Sequence, residues 1–308
     1  MRSQALGLAE AIGLPFVEKR IAVPRTRWRA LRDLLAPTHE GLDPSGDRLE
    51  PPWPRLLIAC GRRSVGPAIA VRRAAGGATR VVYIQDPIVS PRHFDLVVPM
   101  RHDGLRGANV FSVDTALHRI RPTVLTEAAA LGGRLKGNAP LLLGVLLGGS
   151  TRGTRARAGS GEALGRLLRH VHARSGARVV LTPSRRTGDA VRGALLAELG
   201  DAPWYEQWGG EEPNPLLGIL AGADRLIVSG DSVSMVSEAL ATGRPVHVLP
   251  EDRPSRRRAA FVEALRRRGL ISLLEGDDLD WSHASPGPVD ATPGVAAEVA
   301  RRFLVQPS

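Results

Sequence analysis

The apolar residues of this chain come in short unbroken runs instead of strict alternation, and that restricts the folds open to it. RLLIAC (Arg55–Cys60), RVVYIQ (Arg80–Gln85), DLVVP (Asp95–Pro99) and NVFSV (Asn109–Val113) occupy the first half. PLLLGVLL (Pro140–Leu147), ARVVLTP (Ala177–Pro183), RLIVS (Arg225–Ser229) and PVHVL (Pro245–Leu249) occupy the second. Runs of this length, each ended by polar or turn residues, are strands buried on both faces. Segments with helical spacing separate them, among them Glu162–Ser175, Asp189–Leu199, Leu216–Ala221, Ser234–Thr242 and Phe261–Arg268. Strand and helix in alternation mean parallel sheets joined by right-handed crossovers. Phe16–Val23 reads as a further strand, and His39–Pro54, rich in Pro, Gly and Asp, as a surface loop.

A chain of 308 residues is long for one such domain and comfortable for two. The glycine-bearing stretch Gly132–Ala139 reads as the linker, which divides the chain into 1–131 and 139–308. A last helix around Val295–Leu304 is a candidate to return to the first domain. The expected fold is therefore α/β, two Rossmann-like doubly wound domains facing a cleft. Ligands in such folds bind at the carboxyl ends of the strands.

The formal charge is +11, and only two of the cations are lysines, Lys19 and Lys136. Two readings of this arginine excess stand side by side. One is the codon bias of a GC-rich bacterial genome. The other is attraction to polyanions: nucleotide diphosphates, an anionic membrane surface or nucleic acid. No zinc-finger spacing, RNP pattern or basic heptad helix is present, so nucleic acid is not the expected partner. The single cysteine, Cys60, excludes an internal disulfide and a Cys-rich metal site, and its place at the end of an apolar run predicts burial. No apolar stretch approaches 18 residues, and the N-terminus lacks signal-peptide patterning. The expected location is the cytoplasm, with the inner face of the membrane as a candidate surface.

The densest chemistry lies in SGDSVSMVSEALATGRPVHVLP, Ser229–Pro250. A strand ends at Ser229, and Asp231, Ser232 and Ser234 are helix-capping types at the start of the helix that follows. Glu238 lies four residues after Ser234, on the same helical face. A helix N-terminus at a strand's carboxyl end suits a phosphate, and a carboxylate one turn deeper can accept from vicinal hydroxyls. Capping accounts for one of the three polar residues and not for all of them with Glu238.

Further candidates follow the neighbouring strands. Gly148, Gly149 and Ser150 open the loop LGGSTRGTRARAGSG, where glycine lets backbone approach a ligand and Arg152, Arg155 and Arg157 can face a diphosphate. Ser184, Arg185 and Arg186 follow the next strand as a second diphosphate clamp. Asn214 precedes a short helix, on the base side of the expected ligand. In the first domain His102 and Asp103 follow DLVVP and form a candidate general-base pair. No G-x-G-x-x-G, Walker lysine, zinc spacing or Asp-x-Asp signature occurs, so no cofactor and no metal are expected.

The segment Ser232–Pro250, with Glu238, Ala241, Gly243, Pro245 and Pro250, resembles the nucleotide-sugar-binding segment of two-domain GT-B glycosyltransferases, in which a glutamate at the Glu238 position holds the ribose. A closer resemblance spans nearly the whole chain. Gln4–Pro15, Gln85–Asp103, Leu146–Ser150, Leu181–Thr187 and Asn214–Val248 are similar to the elongated-mitochondria fission-factor family and its bacterial relatives. The resemblance implies a GT-B-like body and a nucleotide-sugar donor, with sugar transfer to an acceptor that the sequence leaves open. It implies two alternatives as well: a non-catalytic scaffold, and a nucleotide-sugar epimerase. Relatives carry a strand and a glycine-containing loop before the segment matching Gln4–Pro15, so the first strand of the N-terminal domain is expected to be encoded upstream of Met1.

Overall fold

The computed structural model describes residues 1–22, 43–149, 158–210, 213–274, 279–285 and 287–304. The chain forms two compact units, Met1–Arg119 with Ala291–Ser308, and Ile120–Asp290. Among the described residues each has its own parallel sheet, one of three strands and one of six.

In the first unit, β1 (Leu56–Cys60), β2 (Arg80–Ile84) and β3 (Leu96–Val98) pair in that order. Val82 and Ile84 of β2 face α1 (Arg2–Ile12) and the C-terminal helix α9 (Thr292–Phe303), in a core with Leu8, Leu96, Val98 and Val295. Val81 and Tyr83 face the opposite side, with Val65, Ala68 and Ile69 of α2 (Val65–Ala74). Burial on both faces is why these strands read as unbroken apolar runs. Asn109–Val113 runs beside β3 through bonds such as Phe111 N–H to Val97 O at 2.9 Å, but it makes only isolated bridges. Pro99, which ends the β3 run, has no N–H to continue the ladder.

Phe16–Val23 is not what the sequence suggested: the described residues up to Ala22 form no strand, and Val23 lies outside them. Phe16 and Val17 are 49% and 81% exposed. The backbone of Arg20 and Ala22 bonds instead to the turn at Asp43–Asp47.

The second unit begins with α3 (Pro122–Lys136). Its strands are β4 (Leu142–Leu147), β5 (Arg178–Pro183), β6 (Tyr205–Gln207), β7 (Arg225–Ser229), β8 (Val246–Leu249) and β9 (Ser272–Leu273). They pair in the order β6-β5-β4-β7-β8-β9, all parallel. Leu143, Val145, Val179, Leu181 and Ile227 pack with α4 (Ala158–Ser175) and α5 (Asp189–Leu199). The alternate residues Leu142, Leu146, Val180, Leu226 and Val228 are fully buried too. The remaining helices are α6 (Leu216–Gly222), α7 (Val233–Leu240) and α8 (Arg256–Arg267).

The stretch read as a linker has another role. Gly132 lies inside α3, and a Cβ there would come within 2.7 Å of Gly222 Cα and 2.9 Å of Gly218 O on α6. The glycine brings two helix backbones together, and the division between the units falls before α3, at Arg119/Ile120. Gly133, one residue on, has nothing within 4 Å of a Cβ. The two neighbours should therefore respond in opposite directions. Gly132→Val should destabilise by about 1–3 kcal/mol through overpacking. Gly133→Ala should stabilise by about 0.5–1 kcal/mol, the helix-propensity gain of alanine over glycine. Urea unfolding of the two variants checks this, and a shared sign would contradict it.

Candidate functional site

The strand order of the second unit is the doubly wound 3-2-1-4-5-6 arrangement, counted from β4. The order reverses between β4 and β7, and the crevice outside the carboxyl ends of those two strands is where such sheets bind ligands. Leu147–Gly149 and Ser229–Ser232 sit at that edge.

Three groups join the two strand ends. The Gly148 N–H donates to Ser229 Oγ at 2.6 Å, and the Ser229 hydroxyl donates to Asp231 Oδ1 at 2.7 Å. A Cβ on Gly148 would overlap the Asp231 carboxylate. Asp231 Oδ2 is shielded from solvent and has no hydrogen-bond partner among the described residues. Burial, the largest cause, raises the Asp231 pKa, and the Ser229 hydrogen bond opposes it. Glu251 raises it further, while Arg186 and Arg258 lower it.

The turn after β5 closes on the same edge. Thr187 Oγ1 donates toward Leu147 O at 3.0 Å and Gly148 O at 2.5 Å, and the Ser184 N–H bonds to Leu147 O at 2.7 Å. A Cβ on Gly149 would overlap the backbone and Cβ of Arg186. Gly148, Gly149, Ser184 and Arg186 are thus brought together, with Arg185 and Arg186 exposed. Ser150, Arg152, Arg155 and Arg157 lie outside the described residues.

Helix α7 starts from this edge. Ser232 is its N-cap and accepts from the Met235 N–H at 3.4 Å, so the capping role falls to it. Ser234 is half-buried in the first turn. Glu238 is half-buried one turn on and makes no hydrogen bond or ion pair among the described residues. Burial pushes its carboxyl up to about 7.

Other candidates are occupied locally. Asn214 Oδ1 accepts from Thr182 Oγ1 at 3.0 Å and from the Leu216 N–H at 2.9 Å, which fixes the start of α6. In the first unit, the Asp103 carboxylate accepts from the Met100 N–H at 3.1 Å and so closes its own turn. His102 Nε2 is 3.9 Å from Asp103 Oδ1, and the two side chains are only 11% and 6% exposed.

Two residues that sequence reasoning did not single out act on the site. Glu251 follows β8 and holds Arg258 of α8 through two bonds, at 2.6 and 2.8 Å. Both charges act on Asp231. Their seven-residue separation crosses a turn and carries no periodic signal. Among the described residues no group of three or more His, Cys, Asp or Glu is placed to hold a metal ion, and no helix is long and apolar enough to cross a membrane.

Two parallel-sheet units, one with a switch-point crevice in 3-2-1-4-5-6 order, define the GT-B class. The fold is that of UDP-GlcNAc 2-epimerase from Methanocaldococcus jannaschii, at TM-score 0.54 and 13% identity over 80% of this chain and 76% of that one. It is equally that of UDP-GlcNAc 2-epimerase from Neisseria meningitidis, solved bound to UDP-GlcNAc, at TM-score 0.54 and 11% identity over 97% and 96% of the two chains. The chain belongs to the Mitochondrial fission ELM1 family, which it matches over residues 1–303. It is 32% identical to Mitochondrial fission protein ELM1 of Arabidopsis thaliana over 278 residues, 82% of this chain and 65% of the plant protein. The match thus spans slightly less than two thirds of that relative's length.

Gly148→Ala should destabilise the protein by about 1–3 kcal/mol, because the new methyl displaces the Asp231 carboxylate. In an Asp231→Ala background the same substitution should cost markedly less, since the overlapping group is gone. A double-mutant cycle in thermal unfolding measures the coupling; strict additivity would show that the two residues do not act through each other.

Proposed function

We propose that the second unit binds a nucleotide diphosphate sugar at the β4/β7 switch point, and that the chain is a GT-B-type glycosyltransferase. The observation that carries this reading is Glu238: a half-buried carboxylate, raised to about 7 by burial, with no partner among the described residues. A group in that condition gains from a donor that the described residues do not supply. Two vicinal ribose hydroxyls are such donors. The N–H groups at the start of α7, with Ser232 and Ser234, then meet the diphosphate. Arg185 and Arg186 stabilise the charge that develops on it as the sugar leaves. The sugar nucleotide bound in the Neisseria meningitidis epimerase is a ligand of the same chemical class. In this reading the acceptor is cytoplasmic or presented at the inner face of a membrane, to which a chain of charge +11 is drawn.

Transfer to a hydroxyl needs a base, and His102 with Asp103 is the pair proposed for it. One observation favours a second reading, a binding protein without turnover. The Asp103 carboxylate is already engaged by its own turn, as a structural residue would be.

Glu238→Ala should weaken UDP binding at least tenfold with the fold intact. Each charge-assisted hydrogen bond removed is worth about 1.5–3 kcal/mol. Equal affinity of variant and wild type in calorimetry would remove the ribose role.

Affinity should also depend on pH with a defined sign. Accepting from hydroxyls requires the ionised carboxylate, so wild-type affinity should fall as pH drops through about 7, the Glu238 value in the free protein. Glu238→Gln should flatten that limb. In the free protein the raised value acts the other way on stability. The neutral acid is favoured, so Glu238 disfavours folding progressively as pH rises from 4.5 toward 7.

A further inference from the structure

The proposed function leaves Asn214 without a role, yet only half of its side chain is used by the fold. Oδ1 accepts from the Thr182 hydroxyl at 3.0 Å and from the Leu216 N–H at 2.9 Å. A backbone N–H only donates, so the atom that faces Leu216 is the amide oxygen, and the two donors take both of its lone pairs. The carboxamide is thereby held in one orientation, with Nδ2 on the side away from both donors. Asn214 is exposed, and Nδ2 makes no hydrogen bond among the described residues. The turn before α6 has no need of that nitrogen. A carboxylate accepts the same two bonds, and aspartate forms the same local turn as asparagine.

Register places this donor at the edge where the ligand is proposed to lie. Thr182 is the penultimate residue of β5 and pairs with Leu146 of β4, which pairs with Val228 of β7. Helix α6, into which Asn214 leads, packs over β4: a Cβ on Gly144 would overlap Ile219. Asn214 therefore stands at the carboxyl edge of the sheet, one strand from Gly148, and neighbouring strands are about 4.8 Å apart. The diphosphate is assigned to the start of α7 with Arg185 and Arg186, and the ribose to Glu238. The part of a nucleotide left without a partner is the base. Trp208, half-buried after β6, comes to the same strand end, with its N–H bonded to Leu181 O at 2.9 Å. An aromatic residue on this side suits a flat ring.

We propose that Asn214 is a specificity-determining residue: its oriented Nδ2 donates to an exocyclic carbonyl of the base, which favours uracil over cytosine. The inference rests on the proposed function, because it needs a nucleotide in the β4/β7 crevice. Uracil presents an O4 acceptor where cytosine presents an N4 amino donor. Opposite Nδ2 the amino group sets donor against donor and leaves both unpaired. Because Oδ1 is held by Thr182 and Leu216, the amide cannot turn over to offer its oxygen instead without breaking both bonds.

Calorimetry on the full chain, with UDP in one series and CDP in the other, tests the proposal. The wild type should bind UDP about tenfold more tightly than CDP, the effect of one hydrogen bond made or left unmade. Asn214→Asp keeps both accepted bonds, so the turn survives, and puts an acceptor where Nδ2 was. Its added charge repels both diphosphates alike and cancels in the ratio. The preference for UDP should fall about tenfold, to parity or below. Asn214→Ala, which has neither group, should bind the two nucleotides equally. If both variants fail to fold, the wild-type ratio decides alone. Equal binding of UDP and CDP by the wild type, or an unchanged preference in Asn214→Asp, would overturn the inference and leave Asn214 a turn residue. The nucleotide reading would still stand if Glu238→Ala weakened UDP binding. No binding of either nucleotide would remove that reading and the inference together.

Discussion

The candidate site depends on one relay, from the Gly148 N–H to the Ser229 hydroxyl to the Asp231 carboxylate. At the switch point the chains leave β4 and β7 in different directions, so the ladder stops and the Gly148 N–H has no strand partner to bond. A backbone donor left unpaired there would cost about as much as a lost hydrogen bond. Ser229 supplies the partner, and Asp231 orients Ser229. The carboxylate fits only because residue 148 has no side chain. The turn at Ser184–Thr187 then seats against Gly149 and closes the edge from the β5 side. Gly148, Gly149 and the Ser184–Thr187 turn are thus held by the protein's own contacts, which reduces the ordering a ligand must impose on them.

Much of the fold is legible in the sequence because both faces of each sheet are buried. RLLIAC becomes β1 at Leu56–Cys60, PLLLGVLL becomes β4 at Leu142–Leu147, and RLIVS becomes β7 at Arg225–Ser229. Such strands need continuous apolar residues, and little else in a chain does. The short strands β6 and β9, three and two residues long, leave no run to read. Phe16–Val23 failed for the opposite reason: apolar composition suggested a strand, but the described part of the segment has no sheet partner. Gly132 shows a third limit. Glycines in a row look like a linker, and only the tertiary contact with Gly218 and Gly222 shows a helix crossing.

The site was legible in type more than in role. Capping residues after RLIVS marked the start of α7, and Ser232 caps it. That Asp231 faces Gly148, or that Asn214 is taken up by Thr182 and Leu216, depends on register between strands far apart in sequence. The pair Glu251–Arg258 was invisible for another reason: its seven-residue spacing crosses a turn and carries no periodic signal. The arginine excess has a partly structural explanation. Arg72 binds Asp95 with two nitrogens, and Arg258 and Arg301 bind Glu251 and Glu298 likewise. This forked geometry belongs to guanidinium and not to ammonium.

Asp231 and Glu238 separate what holds the fold from what is available to a ligand. Burial raises the pKa of both carboxyls. Asp231 recovers part of that penalty through Ser229 and through the charges of Arg186 and Arg258, and its position fixes a loop. Its cost is therefore partly offset within the fold. None of the described residues hydrogen-bonds Glu238 or pairs with it, and a glutamine or an alanine would fill the same helical position without a buried charge. Helix formation gives no reason for a carboxylate one turn inside α7, since the N-cap role is taken by Ser232 and the macrodipole acts on the first turn. The ligand reading therefore rests on Glu238, a half-buried acid that no described residue bonds, more than on the capping residues around it.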